Sequence, residues 1–325
     1  MRAGDRLALE LSEGARSRAT SDELAELISR AIAPVVAHDG LRLVGTNPAA
    51  WFGPGSFSFW HGYDGDLGRA VLRRYYAGDD PCLPEELARR PVPAGVFSHG
   101  AATELRWLLR DARGVWGALA LLRSGSRPFD RDDVNRVARL EPMLMSAVRR
   151  FAIAGPLAPT IPRIPAGVVI VGPDNVICAA TPHARRWREV LLRSLLGPAW
   201  LGEASVLGLA AFARHPRAGH PAVTCAPSVL AGRWVAVEAQ ALDRGDVAVV
   251  FQAPTAEQLL PTFSDWYGIT AREREILVEL CDAAAPKQIA RRLGLSVHTV
   301  NDHLKAVFRK TGAGSRAELM SALNG

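Results

Sequence analysis

Lysine is almost absent from this sequence. Of 39 basic residues only Lys287, Lys305 and Lys310 are lysines, and residues 1–286 contain none. That absence excludes from those residues a phosphate-binding P-loop lysine, a Schiff-base lysine, and the lysine that a phosphate-accepting receiver domain sets beside its aspartate. Cysteine is sparse as well. Cys82, Cys178, Cys225 and Cys281 form no C-x-x-C pair and no Cys/His spacing suited to zinc, so they read as reduced, mostly buried thiols. No apolar run approaches the ~18 residues a membrane helix requires, and the charged start lacks the pattern of a signal peptide, so a cytoplasmic location without membrane contact is expected. The motifs G-x-S-x-G, H-E-x-x-H and G-x-G-x-x-G are missing too. With no recognisable nucleophile, base or metal set, the chain reads as a non-enzyme with no catalytic residue, cofactor or metal.

What is present is a 325-residue chain, 48% apolar and 22% charged, long enough for two or three domains. Its net charge of +6 says little about partners, because the arginine bias is also what a skewed base composition would produce. Residues 155–166 (GPLAPTIPRIPA) hold four prolines and little periodicity, which marks a stiff linker and a boundary near 160. The expected division is a flexible N-terminus (1–19), a sensor-like unit (20–152), the linker (153–166), a second sensor-like unit (167–253) and a C-terminal helical unit (258–325). The overall fold class is multidomain α+β.

In the first unit, Thr20 and Glu23 have capping-box spacing ahead of the helical stripe Leu24, Leu27, Ile28, Ala31, Val35. Leu105–Leu109 and Val115–Leu122 read as a hairpin around Asp111–Gly114, and Asp130 as the cap of a long helix carrying Val134, Val137, Leu144, Val148 and Phe151. After the linker come a hairpin turning at Pro173–Asn175, a helix over 182–197, and a hairpin turning at Asp243–Asp246. Eight of the 22 aromatics fall within residues 51–76. Trp51, Phe57, Phe59, Trp60 and Tyr63 are the candidate lining of a pocket for an unidentified small-molecule effector; core filling is the other reading of the same cluster. Residues 20–152 resemble a GAF domain, through VWGALALLRSGSRPFDRDDV (115–134). Residues 165–253 resemble a PAS-type domain, through GVVIVGPDNVICAATPHA (167–184). Both resemblances imply sensing of small molecules or proteins rather than chemistry.

From Ile269 onward the pattern is four short helices. Thr270/Glu273 and Ser315/Glu318 have capping-box spacing, and Ser296 is placed to cap a helix directly after Gly294. Val300, Leu304, Val307 and Phe308 share one helical face. His298, Asp302, Lys305 and Arg309 project oppositely, with Asn301, His303 and Lys310 on the flanks. Residues 256–285 carry two Arg and six acids (−4), whereas 286–325 carry seven bases and two acids (+5). One end of this unit is therefore suited to phosphates.

The segment resembles the LuxR-type helix-turn-helix of bacterial transcription factors. The match runs through T-x-R-E-x-E (Thr270 to Glu275), K-x-I-A (Lys287 to Ala290), L-x-L-S (Leu293 to Ser296), T-V-x-x-H-L (Thr299 to Leu304) and the K-x-G, S-R-x-E-L ending. The resemblance implies that helix 297–311 enters the major groove of double-stranded DNA, that Thr299, His303 and Lys310 touch its backbone, and that helix 316–323 helps pair two subunits. Two departures stand out: Ala283 and Pro286 occupy the usual Gly and Asn positions, and Asn301 replaces a common lysine. The expected protein is a homodimeric, sensor-controlled, sequence-specific DNA-binding regulator; the alternative is a sensor or scaffold acting through protein contacts.

Overall fold

The structure is a computed structural model that describes residues 3–16, 21–49, 55–77, 79–80, 84–100, 102–125, 127–194, 200–215 and 222–324. Thr20, Trp51, Pro81, Cys82 and His220 lie outside them, as do residues 195–197 of the helix expected over 182–197.

The first unit runs α1 (Ala3–Arg16), α2 (Ser21–Ile32), β1 (Gly40–Gly45), β2 (Phe57–His61), α3 (Gly65–Ala77), α4 (Pro84–Arg89), β3 (Ala94–His99), β4 (Ala102–Asp111), β5 (Gly114–Ser124) and α5 (Arg131–Ala152). Its strands form an antiparallel sheet in the order β2-β1-β5-β4-β3. The second unit runs β6 (Gly167–Val171), β7 (Ile177–Ala180), α6 (Pro182–Ser194), α7 (Trp200–Arg214), β8 (Val223–Ala226), α8 (Ser228–Ala231), β9 (Val235–Ala241) and β10 (Val247–Gln252). Its sheet is also antiparallel, β7-β6-β10-β9-β8, so the two sheets share one strand order. Five helices follow: α9 (Ala256–Trp266), α10 (Ala271–Cys281), α11 (Pro286–Leu293), α12 (Val297–Thr311) and α13 (Arg316–Leu323).

Strand alternation explains the first sheet. Leu41 and Leu43 of β1, Phe57 and Phe59 of β2, and Leu119 and Leu121 of β5 are buried on its inner face. The rings of Phe57 and Phe59 lie 4.8 and 4.9 Å from that of Phe151 on α5. Helix α5 starts at a reciprocal box in which Asp130 accepts the Asp133 N–H at 2.9 Å and Asp133 accepts the Asp130 N–H. Such a box satisfies amide donors that no earlier turn can reach.

The N-terminus departs from expectation. Residues 3–16 of the supposedly flexible 1–19 segment are helical, with Leu7 and Leu11 buried and α1 packed on α5. The two leucines are one helical turn apart, and Arg6 pairs with Glu10 at 2.7 Å on an exposed face. The proline-rich 155–166 segment is non-helical, as expected, but it is anchored to the second unit. The Thr160 N–H donates to Gly232 O at 2.8 Å, and Trp187 Nε1 donates to Pro165 O at 3.0 Å. The units are not separately cored either: one cluster of buried side chains runs from α1 to α13. At the α3–α7 contact Gly208 admits the ring of Tyr76, where a Cβ would stand 2.0 Å from a ring carbon. Among the described cysteines, Cys178 is exposed rather than buried, while burial pushes the Cys225 thiol up to about 12. Among the described residues no helix is long and apolar enough to cross a membrane.

Candidate nucleic-acid interface

Helix α9 was not legible in the sequence, and it sets the C-terminal helices in place. It opens with a Thr255/Gln258 box and buries Leu259, Leu260, Phe263 and Trp266. At its end, Asp265 accepts the Ala49 N–H at 2.8 Å and pairs with Arg113 at 3.0 Å, both from the first unit. Burial pushes the Asp265 carboxyl above its ordinary value, against the pull of the Ala49 N–H and Arg113.

Helix α10 begins at the Thr270/Glu273 box foreseen from the sequence. The residues of the T-x-R-E-x-E opening prove architectural. Arg272 donates to Leu293 O at 2.9 Å and pairs with Glu275, while Glu273 is buried and receives the ammonium of Lys310 at 2.6 Å. Burial pushes the Glu273 carboxyl up, but Lys310 and the Thr270 amide outweigh it and hold it below the ordinary glutamate value.

Ala283, in the turn from α10 to α11, has φ +60°. A Cβ in this left-handed region costs roughly 1–2 kcal/mol. Ala283→Gly is therefore expected to raise stability by about 0.5–1 kcal/mol, the relief being partly offset by the greater freedom of Gly in the unfolded chain. Urea unfolding of the two proteins measures it, and a Gly variant no more stable than the parent would contradict this account.

The turn into α12 is built for abruptness. Gly294 stops α11 at φ +65°, the Leu295 N–H returns to Ala290 O at 2.8 Å, and Ser296 Oγ accepts the Thr299 N–H at 3.0 Å. Two helices are thereby joined by three residues. In α12 Val300, Leu304 and Val307 are buried and Phe308 is half-buried, so the apolar stripe faces inward as its spacing predicted. On the reverse side His298, Asn301, Asp302, Lys305 and Arg309 are exposed, and the side chains of His298 and Lys305 retain 86% and 74% of their accessible surface. That is enough for no other part of the described chain to cover them.

Thr299 and His303 are half-buried at the edge of this face. Asp302 stands between two neighbours, 3.4 Å from His298 Nε2 and 3.3 Å from Lys305 Nζ. The structure thus brings together seven of the eight candidate contacts on one helix side. Lys310 points to Glu273 instead. At the last helix, Ser315 caps α13 by accepting the Glu318 N–H at 3.1 Å, but Glu318 turns back to the Gly314 N–H at 2.8 Å, so the box expected there is one-sided.

The candidate pocket residues separate. Phe57 and Phe59 lie on the inner face of the first sheet as core, Trp60 lies on the outer face, and the half-buried Tyr63 stacks edge-on against Trp60. A cavity does open on that outer face, lined by other residues, Arg42, Arg106, Tyr75 and Tyr76 among them. Sequence reading passed over the arginines because a charge at every second strand position reads as a solvated face. Only the helix folded over it makes that face interior.

A short helix, a three-residue turn with a left-handed glycine, and a second helix with an uncovered polar side define a helix-turn-helix module. Residues 268–323 match the family model of bacterial regulatory proteins of the luxR family, and the C-terminal unit is a LuxR-family helix-turn-helix domain. The chain is 45% identical over 53 residues to the "Monoamine regulon transcriptional regulator" of Klebsiella aerogenes. It is 47% identical over 49 residues to the "Probable transcriptional regulatory protein SgaR" of Hyphomicrobium methylovorum. These matches cover 16% and 15% of this chain and 23% of each relative, so the similarity spans under a quarter of either protein.

Proposed function

We propose that this protein is a DNA-binding transcriptional regulator whose two sheet units sense a signal and control the helix-turn-helix domain. The observation that carries this reading is the uncovered polar side of α12, with Lys305 and Arg309 exposed on a helix whose apolar stripe packs inward. The major groove of B-DNA admits one such helix, and exposed cations release counterions from the phosphates they meet. The relatives given above carry the names of transcriptional regulators, which agrees.

Assignment of the upstream units as GAF-like and PAS-like sensors is supported by two five-stranded antiparallel sheets of identical strand order, each flanked by helices. Control follows from linkage. A dimer sets its two recognition helices about 34 Å apart only in some arrangements, and a signal that stabilises those arrangements raises affinity by its own preference for them. The path for such coupling is short, because α9 touches both sheet units directly before the first DNA-binding helix.

The test is a salt titration of duplex binding by fluorescence anisotropy, first against a random duplex pool. Lys305→Ala and Arg309→Ala are each expected to weaken binding and to reduce the slope of log affinity against log salt by about 0.9. Parental affinity and slope in both variants would overturn the interface. Indifference of the parent protein to every duplex would favour the scaffold reading.

A further inference from the structure

The outer face of the first sheet is not solvated. Register places Trp60, Arg42, Ala120 and Arg106 in one row across four strands, and Ser58, Val44, Ala118 and Leu108 in the next. Helix α3 lies over these rows, and the small alanines of β5 leave a cavity of about 60 Å³ beneath it, walled by Val44, Leu72, Tyr76 and Leu108 and reached by Arg42 and Arg106. That space is several times what a single water needs.

Both arginines are more than nine-tenths buried, but they are satisfied differently. Arg106 donates to Asp80 at 2.8 Å and to Glu104 at 2.9 and 3.2 Å. Arg42 lies 5.1 Å from the Trp60 ring centroid, and its Nε has no partner among the described residues. Its carboxylate neighbour, Glu104, is 3.8 Å from Nη2, beyond hydrogen-bond range, and already serves Arg106. Burying a guanidinium with an unfilled donor is costly, and a fold keeps such a group where something else fills it.

We propose that this cavity binds one compact carboxylic acid, its carboxylate paired with Arg42 and its apolar body set against Val44, Leu72 and Leu108. The proposal rests on the sensor reading of the first unit and names what that unit senses. A carboxylate matches the planar fork of guanidinium with two parallel hydrogen bonds, which a neutral amide cannot do. The apolar walls disfavour phosphates and polyacids, which would strand a second charge. Phe57 and Phe59 have no part in the site, because they lie across the sheet.

The test is calorimetric titration of the full-length protein with sodium benzoate and sodium hexanoate, with benzamide as the uncharged control. At least one of the acids is expected to bind saturably at one per chain, and benzamide at least about tenfold more weakly than benzoate. Arg42→Gln is expected to erase the preference for charge. Ala118→Leu, which adds bulk in the cavity without touching the arginines, is expected to abolish binding and serves alone if Arg42→Gln does not fold. Absence of saturable binding for both acids, or binding unchanged in Ala118→Leu, overturns the site. A protein that binds duplex DNA but neither acid loses this inference and keeps the DNA reading; one that binds an acid but no duplex does the reverse.

Discussion

Trp266→Ala is expected to destabilise the protein by about 3–5 kcal/mol, the range for truncating a large buried aromatic. Its ring is nearly fully buried, 6.0 Å from Phe57 and 5.5 Å from Trp116, so it closes the joint between the last turn of α9 and the first sheet. The cavity left behind cannot collapse easily, because β2 and β5 are held by their own ladders. The DNA-binding helices pack mainly on one another and on α9, so unfolding followed by circular dichroism should change from one transition to two. Trp266→Phe keeps a ring at the joint and should lose less than half as much. An unchanged urea midpoint for Trp266→Ala would mean that this ring does not hold the joint.

Lys310→Met is expected to cost about 2–3 kcal/mol at neutral pH, below the 3–5 typical of a broken buried pair because the lysine remains partly exposed. It leaves the buried Glu273 carboxylate with the Thr270 amide as its remaining partner. The pH dependence has a definite sign. Glu273 has its folded-state value depressed, so its contribution is complete above the ordinary glutamate range and fades as pH falls through the depressed value. Parent and Lys310→Met should therefore differ most near neutrality and converge in acid. Urea midpoints across pH 3–7 check this, and a constant gap would show that the pair is not the source. The same variant decides the DNA role of Lys310. Held by Glu273, it should leave the salt slope of duplex binding unchanged, whereas a phosphate contact would lower it by about 0.9.

Much of the candidate interface was legible because its signals are local. The Thr270/Glu273 box, the Gly294 stop, the Ser296 cap and the stripe from Val300 to Phe308 each lie within one or two helical turns, where spacing alone decides geometry. The hairpins around 111–114, 173–175 and 243–246 were legible for the same reason. What escaped was long-range or looked ordinary. Helix α9 carries a Thr255/Gln258 box, but Pro261 interrupts its pattern, and α1 shows Leu7 and Leu11 as the buried apolar positions among its described residues, set among frequent charges. The Lys310–Glu273 pair was not legible because Glu273 lies 37 residues back in sequence.

By itself, the sequence determined that the chain ends in a helix-turn-helix module with one oily and one polar side, since helical periodicity makes that partition unavoidable wherever the helix forms. It also determined where the hairpins turn. Only the tertiary structure decided that the polar side stays open, that Lys310 belongs to Glu273, and that Arg42 and Arg106 are interior. Each of those depends on which distant segment packs against a given face. Strand alternation specifies that two faces exist, but what covers them is settled by chain segments tens to hundreds of residues away.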